Sequence, residues 1–289
     1  MLTFIVNPTA GNGYALKIQN KMQQEMIKRG RDDFRFVVTE KAGHATELAR
    51  LAAAEPDCEG VIAVGGDGTA FEVACGLMHT GVGLGIIPAG TGNDFIKTVG
   101  IPKNPLEALE FILTHQARPV DVGGLNDRLF LNVCGTGFDV TVLDYTLAAK
   151  KFCRGLLPYL IGLIRGIVHY RPVHVRFTAD GVTEERELLI CSVANGRFFG
   201  GGIAICPDAT ADDGLLDLIV VEHQPRWRLP FLVPALLMGK ILTFSITTHK
   251  RCKEVEIISE GMRLNVDGEI INMDSASFRV MQGALNLFW

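Results

Sequence analysis

Over residues 1–121, short apolar segments alternate with longer amphipathic ones, and each apolar segment ends in a glycine-rich or polar turn. This alternation is typical of strands that are joined by helices in a mostly parallel sheet. The pattern predicts strands at 2–6, 34–39, 60–64, 82–87 and 118–122, and helices at 14–29, 45–54, 69–79 and 105–114. We therefore predict an open α/β domain over residues 1–121.

From residue 122 onward, many segments alternate apolar and polar residues, as antiparallel strands with one solvated face do. Such strands are predicted at 128–134, 173–178, 185–195, 215–221, 255–259 and 263–266, with helical interruptions at 141–169 and 228–244. We predict a β-rich second domain over residues 122–281. The C-terminal residues 282–289, which are mostly apolar, are expected to pack back on the first domain.

Size, charge and cysteine spacing narrow the class of protein. A chain of 289 residues exceeds the length at which one core usually stops growing, which favours two domains. The net charge of -4 argues against a nucleic-acid partner. The seven cysteines are scattered and never spaced as CxxC, so neither disulfides nor a zinc site are indicated. Without a signal peptide pattern or an apolar run of ~18 residues, we expect a cytoplasmic protein with transient, peripheral membrane contact.

The most informative segment is residues 60–69, where an apolar strand runs into Gly65-Gly66-Asp67-Gly68-Thr69 and a helix start. Glycines let the backbone approach a phosphate chain, and N–H groups at a helix N-terminus bind its oxyanions. Asp67 suits the orientation of a ligand hydroxyl or a metal-bound water, and Thr69 suits a helix cap. For this segment alone, a tight strand-to-helix turn without a ligand is the alternative.

Two further loops follow predicted parallel strands, at the ends where α/β sheets bind ligands. They are Asn7-Pro8-Thr9-Ala10-Gly11-Asn12-Gly13 and Pro88-Ala89-Gly90-Thr91-Gly92-Asn93-Asp94. The chain contains neither the P-loop pattern GxxxxGK(S/T) nor the dinucleotide fingerprint GxGxxG. The three loops together predict a phosphate site of another kind.

These loops, with Glu72-Val73 and Asp267-Gly268-Glu269, resemble the diacylglycerol kinase catalytic family, and most closely its soluble bacterial lipid kinases, over nearly the whole chain. The glycine motif alone is also similar to NAD kinases and phosphofructokinases. The resemblance implies an α/β domain with helices on both faces of its sheet, a C-terminal β-sandwich with helical insertions, and an ATP site between them. It implies nucleotide contacts at Asn7, Pro8, Thr9, Ala10, Gly11, Thr39, Gly65, Gly66, Asp67, Gly68, Thr69, Glu72 and Thr91.

One position departs from the family pattern. Bacterial members commonly have asparagine in the sequence GGDGTxNE, where this chain has Phe71, so an amide contact made there is lost. Glu72 is retained. His44, at a predicted helix start near the nucleotide loops, is a further candidate for orienting phosphates.

An acidic turn at residues 208–217 offers the oxygen ligands that hard cations prefer. An acidic hairpin turn without a metal ion is the alternative reading of this segment. In the family that the chain resembles, the corresponding turn holds a structural Mg²⁺ through one aspartate and two backbone carbonyls. The resemblance thus implies Asp213, with Thr210 and Leu215, as magnesium ligands.

The segment Asn265-Val266-Asp267-Gly268-Glu269 places two carboxylates around a glycine. A carboxylate on a short turn can relieve an acceptor hydroxyl of its proton during phosphoryl transfer. A β-hairpin turn at Asp-Gly is the alternative. The resemblance favours a catalytic role, with Glu269 as the base and Asp267 as its partner or rival, and the sequence does not separate the two.

Two apolar segments, 153–165 and 226–240, are edged by arginine or lysine. Such segments suit a lipid interface, although buried core helices are the commoner explanation of apolar runs. The resemblance implies a lipid substrate that enters between the domains, with diacylglycerol as the first candidate. Expected partners are ATP, Mg²⁺, the lipid and the membrane surface; a homodimer is also retained as an expectation. The alternatives are an NAD kinase-like enzyme and an inactive nucleotide-binding regulator.

Overall fold

The structure, a computed structural model, describes residues 1–153 and 157–289. Contacts within the chain divide it into two compact units. The first comprises Met1–Val122 and Gln282–Trp289, and the second comprises Gly123–Met281.

The sheet of the first unit is parallel. Its strands lie in the order β2-β1-β3-β4, where β1 is Leu2–Val6, β2 is Phe34–Val38, β3 is Gly60–Gly65 and β4 is Gly83–Pro88. Asn286 and Leu287, near the C-terminus, pair in parallel with Gly83 and Leu84 of β4. The predicted parallel α/β architecture is confirmed.

Helices cover this parallel sheet. They are α1 (Tyr14–Lys28), α2 (His44–Ala53), α3 (Asp67–Leu77), α4 (Asp94–Val99) and α5 (Pro105–Thr114). Every residue of β1, β3 and β4 is buried, which requires packed layers on both faces of the sheet. Asn104 is the N-cap of α5, because its side chain accepts a hydrogen bond from the amide of Leu106. Pro105 is the first helical residue, and its fixed backbone angle suits that position.

The first unit departs from the sequence pattern at two places. The pattern predicts a loop at 88–94 and no helix directly after it, whereas α4 begins at Asp94. Six residues are too few for a helical periodicity to be visible. Helix α3 begins at Asp67 rather than at Thr69, since Gly66 is the last extended residue.

The second unit consists mainly of antiparallel strands, as predicted. Strand β5 (Ala117–Leu125) runs into it from the first unit, and the long strand β9 pairs with β7, β8 and β12. The remaining strands are β6 (Arg128–Phe130), β7 (Val133–Gly137), β8 (Val173–Ala179), β9 (Val182–Ala194), β10 (Phe198–Phe199), β11 (Ile203–Ala204), β12 (Leu216–Glu222), β13 (Thr247–Cys252), β14 (Glu254–Ile258), β15 (Arg263–Val266), β16 (Glu269–Asn272) and β17 (Ser275–Phe288).

The predicted strand at 128–134 is interrupted. Strands β6 and β7 are separated at Leu131 and Asn132, because the amides of both residues bind the side chain of Asp267. Strand β13 was not predicted, since its sequence TTHKRC is largely polar. Its neighbour β12 supplies the apolar residues that make the pair stable.

In the described part of the second unit, three α-helices interrupt the strands: α6 (Phe138–Lys150), α7 (Leu157–His169) and α8 (Leu229–Leu237). Alternate residues of β9 enter two separate apolar cores, with Cys191 and Val193 in one and Ile190 and Ala194 in the other. The second of these cores includes side chains of α6 and α8. Residues 154–156, in the predicted apolar run 153–165, lie outside the described residues. Within the described residues, no helix combines the length and apolarity that crossing a bilayer requires.

Candidate active site

The first unit contains a cavity at the carboxyl-terminal edge of its parallel sheet. The loops after β1, β3 and β4 and the residues after β2 line it. Its volume is about 680 Å³, within the range of roughly 300–1,000 Å³ that is usual for small-molecule sites. Open α/β sheets bind their ligands at this edge.

The structure brings all but one of the predicted nucleotide contacts to this cavity. Gly65 is the exception, because it is the last residue of β3 and is buried. Its carbonyl accepts hydrogen bonds from the amides of Ala89 at 2.7 Å and Gly90 at 3.1 Å, so it joins the loops that follow β3 and β4. The predicted residues that line the cavity are Asn7, Pro8, Thr9, Ala10, Gly11, Thr39, Gly66, Asp67, Gly68, Thr69, Glu72 and Thr91.

Asn7 connects the first loop to the start of α3. Its Oδ1 atom accepts hydrogen bonds from the amide of Thr9 at 3.1 Å and from the Thr9 hydroxyl at 2.8 Å. Its Nδ2 atom donates to the Thr69 hydroxyl at 3.0 Å. One side chain therefore fixes the position of two cavity walls.

Glycines bring the loops after β3 and β4 close together. A Cβ atom at Gly90 would lie 2.5 Å from the Cα of Gly66, a distance that real Cβ atoms do not adopt. Gly68 differs, because a Cβ atom there would meet no atom within 4 Å. Gly68 thus faces the open space of the cavity, where a ligand can approach the backbone closely.

The N-termini of two helices differ in how their amides are satisfied. In α2, the Glu72 carboxylate accepts hydrogen bonds from the amides of Gly43 at 2.9 Å and Ala45 at 3.2 Å. In α3, the residue before the helix is Gly66, which has no side chain to cap it. Since an uncapped helix N-terminus attracts anions, α3 offers the cavity an anion-binding end, whereas Glu72 already caps α2.

Asp67 is half-buried at the start of α3. Its Oδ1 atom accepts hydrogen bonds from the amides of Asp94 at 2.6 Å and Phe95 at 3.3 Å, at the start of α4. Burial, with a smaller contribution from the nearby Asp94 carboxylate, raises the pKa of Asp67. The aspartate of the glycine motif therefore both lines the cavity and holds α4.

Sequence reasoning missed several residues that line the cavity. Lys41 is the cation among them, and it follows β2 at the same sheet edge as the predicted loops. That position after a strand is the signal that would have found it. Phe71 is half-buried and is absent from the lining of this cavity as the described residues define it. Asn12, Gly90 and Gly92, which also line the cavity, belong to the two loops that the sequence had already indicated.

In the second unit, the structure separates the two carboxylates of the predicted catalytic turn. The carboxylate of Asp267 accepts hydrogen bonds from three successive amides, those of Leu131 at 2.6 Å and of Asn132 and Val133 at 3.0 Å each. Glu269 is exposed at the start of β16, and the described residues include no hydrogen-bond or ion-pair partner of its carboxylate. Asp267 is thus engaged in the fold, and Glu269 is open to a ligand.

The predicted magnesium turn is held by protein groups. Asp213 accepts hydrogen bonds from the Thr210 hydroxyl at 2.5 Å and from the amide of Leu215 at 3.0 Å. It also forms an ion pair with Arg251. A cation at this carboxylate would compete with the guanidinium of Arg251.

Within the described residues, one group of side chains could hold a metal ion, and it consists of Cys206, Asp217 and His249. The Nε2 atom of His249 lies 2.6 Å from the Asp217 carboxylate and 3.8 Å from the Cys206 sulfur. Burial and the Asp217 charge raise the pKa of the Cys206 thiol to about 12. The hydrogen bond between histidine and aspartate accounts for this arrangement.

Comparisons with known proteins identify the class of protein to which this chain belongs. The family model described as the diacylglycerol kinase catalytic domain matches residues 1–125. The model described as the YegS C-terminal NAD kinase beta sandwich-like domain matches residues 132–289. These matches define a phosphotransferase with an alcohol group as acceptor. The chain belongs to the family of diacylglycerol kinases and YegS-like lipid kinases.

Individual relatives agree with this assignment. The chain is 31% identical over 296 residues to a diacylglycerol kinase of Mycobacterium tuberculosis, covering 99% of this chain and 94% of the relative. It is 38% identical over 234 residues to a protein of Pseudomonas aeruginosa described as a YegS-like lipid kinase, covering 78% and 75%. A crystal structure of a diacylglycerol kinase from Bacillus anthracis superposes with a TM-score of 0.76 at 26% identity, covering 100% and 96%.

Proposed function

We propose that this protein transfers the γ-phosphate of ATP to a hydroxyl group of a membrane lipid in a magnesium-dependent reaction. Diacylglycerol, converted to phosphatidic acid, is the first candidate acceptor. The observation that carries the proposal is the cavity of the first unit, into which the uncapped N-terminus of α3 and the open face of Gly68 are directed. The relatives described as diacylglycerol kinases support the choice of acceptor.

The phosphates of ATP are assigned to the N-terminus of α3. Backbone amides at a helix start, approached past glycine, supply the hydrogen bonds and partial positive charge that a polyphosphate requires. Lys41, exposed at the cavity wall, adds a full positive charge. Asn7 and Thr69 hold the two adjoining loops in place through their mutual hydrogen bond.

A magnesium ion that accompanies the phosphates would neutralise charge as the phosphoryl group is transferred. Asp67 suits a water ligand of that ion, since its carboxylate lines the cavity. For a separate structural Mg²⁺, the assigned residues are Thr210, Asp213 and Leu215. They do not fit a cation as they stand, because Arg251 already pairs with Asp213, and no step of the reaction is assigned to a metal there.

Glu269 is assigned as the general base, and Asp267 as the residue that positions it. A base requires a carboxylate that is open to the acceptor hydroxyl, and Glu269 is exposed. Both carboxylate oxygens of Asp267 already accept backbone hydrogen bonds, three in total, so Asp267 is less available than Glu269 to an acceptor hydroxyl. Because Asp267 anchors the turn two residues earlier, it fixes the position of Glu269 at the start of β16.

The second unit also provides a candidate membrane surface. Leu157, Leu160, Ile164 and Val168 follow one face of α7 and are 50%, 53%, 55% and 56% exposed. Trp227 and Phe231, beside Arg226 and Arg228, are 66% and 74% exposed. Exposed apolar groups beside cations suit a peripheral contact with anionic lipid.

Vesicle binding tests this surface. The double variant Leu160→Ser/Ile164→Ser should no longer co-sediment with anionic vesicles. The control variant Ile27→Ser, at an exposed position of α1, should still co-sediment with them. A second copy of the chain is the competing occupant. If the double variant no longer forms a dimer in size-exclusion chromatography without vesicles, and its vesicle binding is unchanged, this face contacts the second copy instead.

An NAD kinase-like activity is the second candidate. It is favoured by the description of the family model that matches residues 132–289, which names an NAD kinase beta sandwich-like domain. Transfer of labelled phosphate from ATP to diacylglycerol, phosphatidylglycerol, a sphingoid base and NAD distinguishes the two. Label in a lipid supports the proposal, and label in NAD alone supports the second candidate. Nucleotide binding without any labelled product would indicate an inactive regulator.

A further inference from the structure

Cys206, Asp217 and His249, in the second unit, come from three separate parts of the chain. Cys206 follows β11, Asp217 lies in β12 and His249 lies in β13. Strands β12 and β13 are antiparallel neighbours in which Asp217 pairs with Arg251 and Ile219 pairs with His249. Because side chains two residues apart on a strand share a face, Asp217 and His249 lie diagonally on one face of this strand pair.

The ligand-type atoms of these three side chains form a compact set. One sulfur, one imidazole nitrogen and one carboxylate oxygen lie within 4.8 Å of one another. The Nε2 atom of His249 is 3.8 Å from the Cys206 sulfur and 2.6 Å from Asp217 Oδ1. A tetrahedral zinc ion, with bonds of about 2.3 Å to sulfur and about 2.0–2.2 Å to nitrogen or oxygen, holds such atoms roughly 3.3–3.6 Å apart. An ion between the three atoms would therefore change each of the two histidine distances by less than ~1 Å.

The surroundings of the sulfur suit a metal-bound thiolate. Burial and the Asp217 charge raise the pKa of the Cys206 thiol, whereas hydrogen bonds from the backbone amides of Ala209 and Asp208 to the sulfur lower it. Donors that point at a sulfur ligand are the usual second-shell partners of a metal site. A buried cysteine that only fills space needs no such donors, since it behaves as a small apolar residue.

The charges around the group balance with a divalent cation. The thiolate of Cys206 and the carboxylate of Asp217 supply two negative charges. The Nε atom of Arg251 lies 3.9 Å from Asp217 Oδ1, but the guanidinium is already paired with Asp213. His249 binds a metal as the neutral imidazole, and its side chain is 29% exposed, which gives an ion access from solvent.

We propose that Cys206, Asp217 and His249 bind one divalent cation of the zinc type, with a water molecule in the fourth position on the exposed side of His249. On binding, the thiol proton leaves to solvent, and the imidazole carries its single proton on Nδ1 so that Nε2 can bind the metal. The ion would join the segment after β11 to the pair formed by β12 and β13. Sulfur and nitrogen ligands select against Mg²⁺, which takes oxygen ligands.

This site shares no ligand with the turn to which a structural Mg²⁺ was assigned. Its cysteine and histidine are 43 residues apart in the chain, so cysteine spacing does not indicate the site. The hydrogen bond between His249 and Asp217 holds the same group together without an ion.

Binding of Co²⁺ to the full chain tests the proposal, because cobalt bound to a thiolate gives a sulfur-to-metal charge-transfer band in the near ultraviolet. We expect the wild type to show this band with one Co²⁺ per chain. Zn²⁺ should displace the cobalt, since such sites bind zinc more tightly, and an excess of Mg²⁺ should not. Cys206→Ser should abolish the band. His249→Gln should weaken Zn²⁺ binding by about 100-fold or more, because even the loss of a second-shell partner costs about 10- to 100-fold.

Cys252→Ser is the matched control, because Cys252 is also buried but lies in the other apolar core of the unit. His174→Gln is the control for the histidine, since His174 is exposed and pairs with Glu185. Both controls should retain the band and the affinity for zinc.

Three results would overturn the proposal. They are the absence of a charge-transfer band in the wild type, displacement of cobalt by Mg²⁺, and a band retained in folded Cys206→Ser. The thermal transition of each variant checks folding. If Cys206→Ser does not fold, His249→Gln decides, and an affinity for Zn²⁺ equal to that of the wild type would then contradict the proposal.

Discussion

Glu72 caps the start of α2, with 2.9 Å between its Oε1 atom and the amide nitrogen of Gly43. The other carboxylate oxygen binds the amide of Ala45, and the Thr46 hydroxyl donates to the Glu72 carbonyl at 2.8 Å. The glutamate that follows the glycine motif thus joins α3 to α2. Its effect on a nucleotide in the cavity is therefore expected to be indirect, through the position of both helices.

Glu72→Ala is expected to lower the free energy of unfolding by about 1–2 kcal/mol, as the loss of a helix N-cap does. Urea denaturation measures this change. Glu47→Ala is the control, because Glu47 lies in the first turn of the same helix and is exposed. Equal stabilities of the two variants would contradict the capping role.

Asp267→Asn and Glu269→Gln should differ in stability although both lower phosphate transfer. The amide in Asp267→Asn cannot accept all three backbone hydrogen bonds from residues 131–133, so its free energy of unfolding should fall by about 1–3 kcal/mol. Glu269→Gln changes an exposed side chain and should remain within about 0.5 kcal/mol of the wild type. Denaturant unfolding of both variants measures these changes. If Glu269→Gln were the less stable of the two, the roles assigned to Asp267 and Glu269 would be reversed.

Gly68→Ala should weaken ATP binding without weakening the fold. Gly68 is within α3, where alanine is favoured over glycine by up to about 1 kcal/mol, and its Cβ atom would enter the open cavity. We expect the KM for ATP to rise roughly 10- to 100-fold. Gly90→Ala is the contrast, because its Cβ atom would collide with Gly66 and destabilise the unit. If the KM for ATP is unchanged in Gly68→Ala, the phosphates of ATP do not bind at this end of α3.

Asp139 makes folding stability depend on pH. Burial raises the pKa of its carboxyl from 3.8 to about 6. Between these values the folded protein retains the proton that the unfolded chain releases, so the stability contribution of Asp139 falls as the pH rises. Since each pKa unit is worth about 1.4 kcal/mol, the loss above the folded-state pKa is on the order of 3 kcal/mol.

Asp139→Asn should therefore be more stable than the wild type by roughly 1–3 kcal/mol at about pH 8, and equal to it below about pH 4. Denaturant unfolding across this range measures the difference. Burial raises the pKa of the nearby thiols of Cys134 and Cys191 well above the window, so they do not titrate in it. A constant difference between the two proteins at all pH values would contradict the raised pKa.

Elements with strong local signals could be predicted from the sequence. Strands β1, β3 and β4 are mainly apolar runs, and β3 ends at glycine and β4 at proline. Burial on both faces of a parallel sheet demands such runs. The glycine loops after them could be placed together because parallel strands share one carboxyl-terminal edge. The individual contact residues came from the resemblance to the kinase family, and all of them except Gly65 line the cavity.

Roles that depend on distant partners could not be predicted. Asp267 and Glu269 look equivalent in sequence, and only the three amides of residues 131–133 distinguish them. Glu72 likewise follows the glycine motif, but its partner Gly43 directly precedes another helix, α2. Asp139 was missed because a single aspartate in the first turn of a helix carries no periodic signal, and its partner Asn265 is distant in sequence.

The most direct test of the central claim is phosphate transfer from labelled ATP, with Mg²⁺, to lipid acceptors in mixed micelles, with Glu269→Gln as the matched variant. The account predicts label in a lipid with the wild type and loss of that label in Glu269→Gln, while ATP affinity changes by no more than a few-fold. Label in NAD alone, or undiminished lipid phosphorylation by Glu269→Gln, would contradict it.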